Sequence, residues 1–121
     1  MSDPTAAEVQ HILDILLSTP FREGVPISRN FDRLPTRPGL YAVKQSSETM
    51  LYIGRARTLR TRFAGGHKAF TWAWIDDYDH REIGITYYLL NWEEGLKAQE
   101  LEAAIIQRLR PRYNSVIRKE E

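Results

Sequence analysis

Two short apolar segments joined by a polar turn constrain the fold of this chain more than any other feature. Apolar residues alternate over Gly39–Lys44 and resume over Met50–Gly54, with five polar, turn-prone residues between them. A period of two interrupted by a short polar connection is typical of a hairpin, so two paired strands are predicted over these ranges. Gly54 is expected to end the second strand and to leave room for a closely approaching phosphate.

A run of basic residues follows the predicted hairpin. Positions 55–68 contain five Lys or Arg and no acidic residue, and positions 108–119 do likewise, although the formal net charge of the whole chain is only +1. A nearly neutral chain with two basic patches can hold a polyanion there, and solvated helix faces are the alternative interpretation. Because Tyr41 and Tyr52 lie on neighbouring strands beside the first patch, the pattern indicates phosphate chemistry.

Hydrophobic periodicity predicts a small α/β (α+β) fold, with a three-stranded, largely antiparallel sheet flanked by helices. A short helix is predicted over 56–64, and a third, nearly continuously apolar strand over 82–91. A long helix is predicted over 93–109, ending before Pro111.

The predicted elements divide the chain into an N-terminal helix and extended leg (1–37), a central domain (38–115) and a tail (116–121) that is expected to fray. The N-terminal helix spans 1–19, and Thr5 and Glu8 have the spacing of a capping box. Its apolar face is expected to pack on the central domain or on a second copy of the chain.

The segment 70–80 admits several interpretations. Phe70, Trp72 and Trp74 alternate, so a strand would place three rings on one face, as core, as a protein interface or as a platform for unpaired bases. The polar residues that follow could form a metal site but are more simply a solvated turn: Asp76, Asp77, Asp79 and His80.

Composition excludes several classes of protein. The chain has 121 residues, enough for one domain, and no cysteine, which excludes disulfides, zinc fingers and thiol catalysis. No apolar run approaches the ~20 residues of a membrane span, and the N-terminus lacks the layout of a signal peptide. A cytoplasmic location and no membrane partner are therefore expected.

One acidic residue of the predicted long helix stands on its apolar side. At ~100° per residue, Glu102 falls between Ala98 and Ile106 within the apolar sector, whereas Glu100 lies on the opposite side. A carboxylate aimed at the core is costly unless it is paired or binds a cation. A salt bridge to Arg62 or Arg55 and the binding of a metal are both compatible with this placement.

The order and spacing of these residues are recognisable. Gly39-Leu40-Tyr41 followed by Tyr52-Ile53-Gly54 resembles the paired motif that names the GIY-YIG nuclease superfamily. Arg62 falls where that family has its catalytic arginine, on the first helix. Glu102 and Asn114 match the family's metal-binding glutamate and later asparagine. The resemblance covers roughly Pro38 to Ser115.

The resemblance implies a Mg²⁺- (or Mn²⁺-) dependent endonuclease in which Glu102 holds the metal. Arg62 would neutralise charge developing on the phosphorane. Tyr41 would act as general base with help from Tyr52. An unperturbed tyrosine titrates near 10, so nearby cations would have to lower its pKa or the metal would have to help deprotonate the water.

The resemblance also assigns further residues to the site. Many relatives place a histidine or tyrosine four residues after the catalytic arginine. Here His67 stands five residues after it, so either Gly65-Gly66 bring it back into the catalytic site or it only contacts DNA. Contacts to nucleic acid are predicted for Gly54, Arg55, Arg57, Arg60, Lys68 and Asn114, and for Asn114 a structural role is equally open.

The implied substrate is nucleic acid, with DNA preferred and one strand nicked per active site. The chain has little outside the matched region. We therefore expect low specificity, a preference for a branched or damaged structure, or specificity supplied by a homodimer or a partner protein. The alternative function is a catalytically inactive module that binds nucleic acid or protein on the same fold.

Overall fold

The predicted hairpin forms one side of the sheet. In a computed structural model, which describes residues 4–27 and 31–120 (the last four by backbone alone), the hairpin strands are β2 (Gly39–Gln45) and β3 (Met50–Ala56). They pair antiparallel from Gly39↔Ala56 to Val43↔Tyr52, and the register shifts between Val43 and Lys44. Gly54 therefore lies inside β3, and the prediction that it ends the strand is wrong.

The sheet has four strands rather than the predicted three. The third predicted strand is β4 (Ile83–Leu89), which pairs antiparallel with β2 on one side and with β1 (Val25–Pro26) on the other. The order is β1-β4-β2-β3, which explains the nearly continuous apolar character of the interior strand β4. The sequence did not predict β1 because two residues, one of them proline, show no period.

Helices cover both faces of the sheet. In the described part of the chain they are α1 (Ala6–Ser18), α2 (Leu59–Ala64), α3 (Lys68–Ile75), α4 (Trp92–Gly95), α5 (Ala98–Leu109) and α6 (Arg112–Glu120). Short 3-10 turns lie at Phe21–Glu23 and His80–Glu82. Within the described residues, no helix is long and apolar enough to cross a membrane.

The predicted long helix is broken into α4 and α5. The Asn91–Glu94 capping box starts α4, which ends after Gly95, a poor helix former. Lys97 lies outside the helical region, at φ −125° and ψ 28°, and precedes the first residue of α5. The capping signal at Asn91 and the glycine were both visible in the sequence, but the apolar period continued across them.

The segment after His67 is helical, so the strand interpretation of Phe70, Trp72 and Trp74 is wrong. The buried residues of α3 are Ala69 and Ala73, which stand four apart as a helix requires. Trp74 is consequently turned outward and is 77% exposed.

The N-terminal helix packs on the rest of the chain. The Thr5–Glu8 capping box is confirmed, with Thr5 Oγ1 accepting from the Glu8 N–H. The apolar face of α1 shares a buried cluster with Leu40 of β2 and Leu101 of α5. The residues that α1 contributes are Val9, Ile12, Leu13 and Leu16. The domain limits at 37 and 115 stay a prediction.

Residues 116–120 of the tail, which was predicted to fray, continue helix α6, and the start of this helix is held by side-chain contacts. Arg112 Nε and the Tyr113 hydroxyl both donate to Asp76 Oδ2, at 2.9 and 2.7 Å. These contacts join α6 to the residue that ends α3. A partner 36 positions away is not visible in the local pattern.

A buried lysine fixes the end of α1 to the hairpin. Lys44 is 1% exposed, and its Nζ donates to the carbonyls of Thr19 (2.7 Å) and Leu17 (3.3 Å) and to Glu48 Oε1 (3.1 Å). The carbonyls at the C-terminus of a helix lack partners within that helix. The ammonium group satisfies two of them and finds a carboxylate for its charge.

We expect Lys44→Met to destabilise the protein by about 1–3 kcal/mol, because it leaves these partly buried carbonyls without a donor. The measurement is the free energy of unfolding from urea denaturation. Glu48→Gln is the comparison: it leaves both carbonyl bonds of Lys44 intact but keeps only one of the two oxygens that accept from Lys44 and from the Phe21 N–H, so it should cost less than Lys44→Met. A Lys44→Met protein as stable as the wild type would contradict this account.

Candidate active site

The register of the hairpin places the two motif tyrosines on one face of the sheet. Tyr41 lies opposite Gly54, and Tyr52 lies opposite Val43, two residues further along β2. Directly opposed residues of antiparallel strands share a face, so both rings lie on the side covered by α2 and α3. The ring centroids of Tyr41 and Tyr52 are 6.1 Å apart.

Gly54 is required by the ring of Tyr41. A Cβ at position 54 would lie 2.4 Å from both Cζ and Oη of Tyr41, closer than any real contact. The phenol therefore crosses directly over β3, and only a residue without a side chain fits beneath it. The structure gives a different reason for this glycine than the predicted approach of a phosphate.

His67 lies in the site in spite of its altered spacing. Its Nε2 is 2.7 Å from the Tyr41 hydroxyl oxygen, and its Nδ1 accepts from the Ala69 N–H at 3.0 Å. Gly66, at φ 94°, supplies the left-handed turn that returns the chain after α2. Because Nδ1 is an acceptor, the neutral ring carries its proton on Nε2 and donates it to the Tyr41 oxygen.

Burial decides the protonation of both partners. Burial and, secondarily, the charge of Arg62 lower the pKa of His67 to about 4, so the ring is neutral at pH 7. Burial raises the pKa of Tyr41 well above its ordinary value, and the neighbouring Arg62 opposes this without outweighing it. The protein's own cations therefore do not lower the tyrosine pKa, which was one of the two routes that the sequence left open.

Arg62 faces the two rings from the last turn of α2. Leu59 and Phe63 of that helix are buried, whereas Arg62 is exposed. Its charge acts on the pKa of both Tyr41 and His67. A guanidinium in this position can reach a phosphate held in front of the tyrosine.

Phe63 is a positioning residue that the sequence did not single out. Its ring meets Tyr41 edge-on, with centroids 4.7 Å apart, and stacks on His67 at 5.4 Å. Leu59 and Phe63 stand four apart, a spacing typical of the residues that dock one face of a helix, and both are buried. Which rings Phe63 would contact depends on the turn at Gly66, which no local period specifies.

Glu102 lies on α5, which covers the opposite face of the sheet, and its side chain reaches toward Tyr41 from that side. Its Oε1 is 3.3 Å from Arg55 Nε, and its side chain is 20% exposed. Its negative charge also contributes to raising the pKa of Tyr41, so the carboxylate lies within electrostatic reach of the phenol. The salt-bridge interpretation is thus realised with Arg55, and the carboxylate stays accessible at the edge of the sheet.

The donor set around Glu102 suits a magnesium ion. Among the described residues, no three His, Asp or Glu side chains are grouped so as to hold a metal. Mg²⁺ is commonly bound by one or two carboxylates and completes its octahedron with water and substrate phosphate. A single accessible glutamate fits that requirement, provided that Arg55 releases the carboxylate when an ion binds.

The acidic segment after α3 has structural partners. Asp76 accepts hydrogen bonds from Arg112 and Tyr113. Asp79 accepts from Arg81, and this contact lowers its pKa to about 2. These carboxylates are occupied by interactions within the chain.

Asn114 has a buried, structural position. Its Oδ1 accepts from the Ile53 N–H at 2.9 Å, and its Nδ2 donates to the Ile53 carbonyl at 2.8 Å. Asn114 is only 8% exposed. It therefore holds β3, which carries Tyr52 and Arg55, rather than facing a nucleic acid.

The remaining basic residues divide into two groups. Arg60 donates from Nε to the Leu34 carbonyl and from Nη2 to the Asp32 carbonyl, both at 2.9 Å, so a nucleic acid would have to compete with these bonds. Arg57 and Lys68 are exposed, the first just after β3 and the second at the start of α3.

Comparison with known proteins agrees with this geometry. The antiparallel sheet flanked by helices is the fold that the GIY-YIG resemblance implies. Residues 37–115 match the model of the UvrC-like GIY-YIG domain, and the chain belongs to that family.

The relatives are much longer proteins. UvrABC system protein C of Streptococcus sanguinis is 31% identical over 96 residues, which cover 76% of this chain and 15% of that protein. The protein of the same name from Chlorobium chlorochromatii is 36% identical over 87 residues, 67% of this chain and 13% of that protein. The chain thus spans about 15% of the length of the curated relatives it matches.

A solved structure is similar over the same region. The GIY-YIG N-terminal endonuclease domain of UvrC from Thermotoga maritima, bound to its catalytic magnesium, superposes with a TM-score of 0.51 and 26% identity. The match covers 72% of this chain and 93% of that domain.

We expect Gly54→Ala to lower the free energy of unfolding by about 1–3 kcal/mol, because its Cβ would displace the Tyr41 ring. Gly65→Ala is a matched control, since a Cβ there meets nothing within 4 Å. Urea denaturation of the two variants provides the measurement. Equal stabilities would mean that the tyrosine does not depend on the glycine.

We expect the stability of the wild type to fall between pH 6.5 and about 4, because unfolded His67 binds a proton over this range and the buried ring does not. The effect should be on the order of 3 kcal/mol and absent from His67→Gln. Unfolding free energies of both proteins at several pH values would test this, since the carboxylates titrate in both. Parallel pH profiles would contradict a buried neutral histidine.

Proposed function

We propose that this chain is a divalent-metal-dependent endonuclease that hydrolyses phosphodiester bonds in nucleic acid, with DNA as the preferred substrate. The observation that carries the proposal is the 2.7 Å contact of Tyr41 with His67 at the place where Arg62 and Glu102 converge. Membership of the UvrC-like GIY-YIG family and the magnesium in the similar Thermotoga maritima domain support it.

Glu102 would hold the metal, Mg²⁺ or Mn²⁺. When bound, the ion supplies Lewis-acid polarisation of the scissile phosphate and stabilisation of the leaving oxygen. Arg55, which now donates to Glu102, would turn to the phosphate. Arg62 would contact the phosphate from α2, and its permanent positive charge would stabilise the transition state.

Tyr41 would position the attacking water, and once its phenol has released its own proton to solvent, the phenolate would accept a proton from that water. The Nε2–H of His67 already points at the phenol oxygen, so it would stabilise an ionised Tyr41, and Arg62 would add its charge. Neutralisation of the Glu102 carboxylate removes one of the charges that raise the pKa of Tyr41. Tyr52 packs edge-on against His67, with centroids 4.9 Å apart, and helps to keep that ring in place.

One site of this kind cuts one strand, so a double-strand break would need a second copy of the chain or a second encounter. An inactive binding module is the alternative function. The ion pair between Arg55 and Glu102 favours it, because the carboxylate is already satisfied without a metal.

We expect Glu102→Gln to reduce Mg²⁺-dependent cleavage at least about a hundredfold, because the amide cannot bind the ion as a carboxylate does. The assay uses labelled single-stranded, duplex and branched DNA, and RNA of the same sequence, with EDTA as a blank. Glu93→Gln, an exposed acid on α4, is the matched control and should retain activity. Mg²⁺ should also raise the Tm of the wild type but not that of Glu102→Gln.

Two outcomes would change the conclusion. Cleavage that survives in Glu102→Gln would remove this glutamate from the mechanism. Salt-sensitive binding without cleavage of any substrate would favour the binding module.

A further inference from the structure

A groove that the catalytic proposal does not use lies between the end of β3 and the α4–α5 junction. Its volume is about 360 Å³, and its lining includes Pro38, Arg55, Arg57, Leu96, Gln99 and Glu100. Arg55 connects it to the candidate active site, because the same side chain reaches Glu102 at 3.3 Å. A strand whose phosphate lies at Glu102 would therefore continue into this groove.

The side chains that line the groove suit a nucleotide better than a phosphate alone. Two exposed arginines, Arg55 and Arg57, provide charge for a polyanion. Pro38 and Leu96 provide apolar surface, which a phosphate does not need, and the Gln99 amide can both donate to and accept from a base edge. Glu100 places a negative charge on the α5 side and disfavours a second phosphate there.

Leu96 of the groove lining follows α4, and the first residue of that helix, Trp92, is a second exposed apolar side chain. Trp92 is 78% exposed and Leu96 is 59% exposed. They stand four apart across the turn of α4, a spacing that brings side chains onto one face. Large apolar side chains exposed together beside charged residues mark a binding surface, and an aromatic ring stacks readily on an unpaired base.

We propose that this groove binds an unpaired nucleotide next to the scissile phosphodiester, with its base against Trp92 and Leu96 and its phosphates on Arg55 and Arg57. The inference rests on the proposed endonuclease function and names its substrate class: nucleic acid that is single-stranded or locally unpaired at the cut. Bases within a continuous duplex are covered by their neighbours and present no free face.

Tryptophan fluorescence tests the stacking without reference to activity. The chain has three tryptophans, so Trp72→Phe with Trp74→Phe leaves Trp92 alone, and Trp72→Phe with Trp92→Phe leaves Trp74 alone. Trp74 is a matched control, since it is 77% exposed on another helix. Both proteins are titrated with a single-stranded oligonucleotide in Ca²⁺. The titration is repeated with a series of oligonucleotides, each of which lacks the base at one position.

We expect binding to quench the fluorescence of Trp92 but not that of Trp74. Within the abasic series, the oligonucleotide that lacks the base stacked on Trp92 should no longer quench this fluorescence. Trp92→Ala should weaken single-strand binding about fivefold or more, whereas Trp74→Ala should leave it unchanged. Duplex binding should be the same in both variants.

The outcomes separate this inference from the proposed function. Nucleic acid that is bound and cut while Trp92 stays unquenched and Trp92→Ala binds normally would overturn the groove proposal and leave the endonuclease intact. Equal quenching of both tryptophans would also overturn it. Absence of binding to any nucleic acid would overturn both.

Discussion

The passage of the Tyr41 ring over Gly54 is the contact on which the site depends. It requires the register that sets these two residues opposite each other, and it carries the phenol oxygen across β3 to His67. Every other group of the site is positioned from a different element: Arg62 from α2, His67 from the start of α3 and Glu102 from α5. A one-residue slip of the hairpin would turn Tyr41 to the opposite face and dissolve the arrangement.

Burial sets the protonation states of Tyr41 and His67. His67 is kept neutral and is committed as a donor to Tyr41, since its other ring nitrogen caps α3. The phenol is kept protonated by the same burial, so the proposed mechanism requires a change in local charge before Tyr41 can serve as a base.

The candidate site residues came from the resemblance to the GIY-YIG family, whereas local patterns predicted the hairpin and the capped helix α1, because each of these is encoded within a few positions. They failed where a partner lies far along the chain. The helix α6 depends on Asp76, and the amide of Asn114 binds Ile53, 61 positions away. They also failed where a weak signal competed with a strong period, as at Gly95, where the apolar spacing continued across the break between α4 and α5.

The Asn114 amide has a consequence for the outer strand of the sheet. In the order β1-β4-β2-β3, the free side of β3 presents backbone groups that could pair with a strand of another molecule. The amide imitates a neighbouring strand at Ile53, using both its donor and its acceptor. Helix α6 thus covers the outer side of β3 beside the candidate active site, and loss of that helix would expose this edge to pairing with a strand of another molecule.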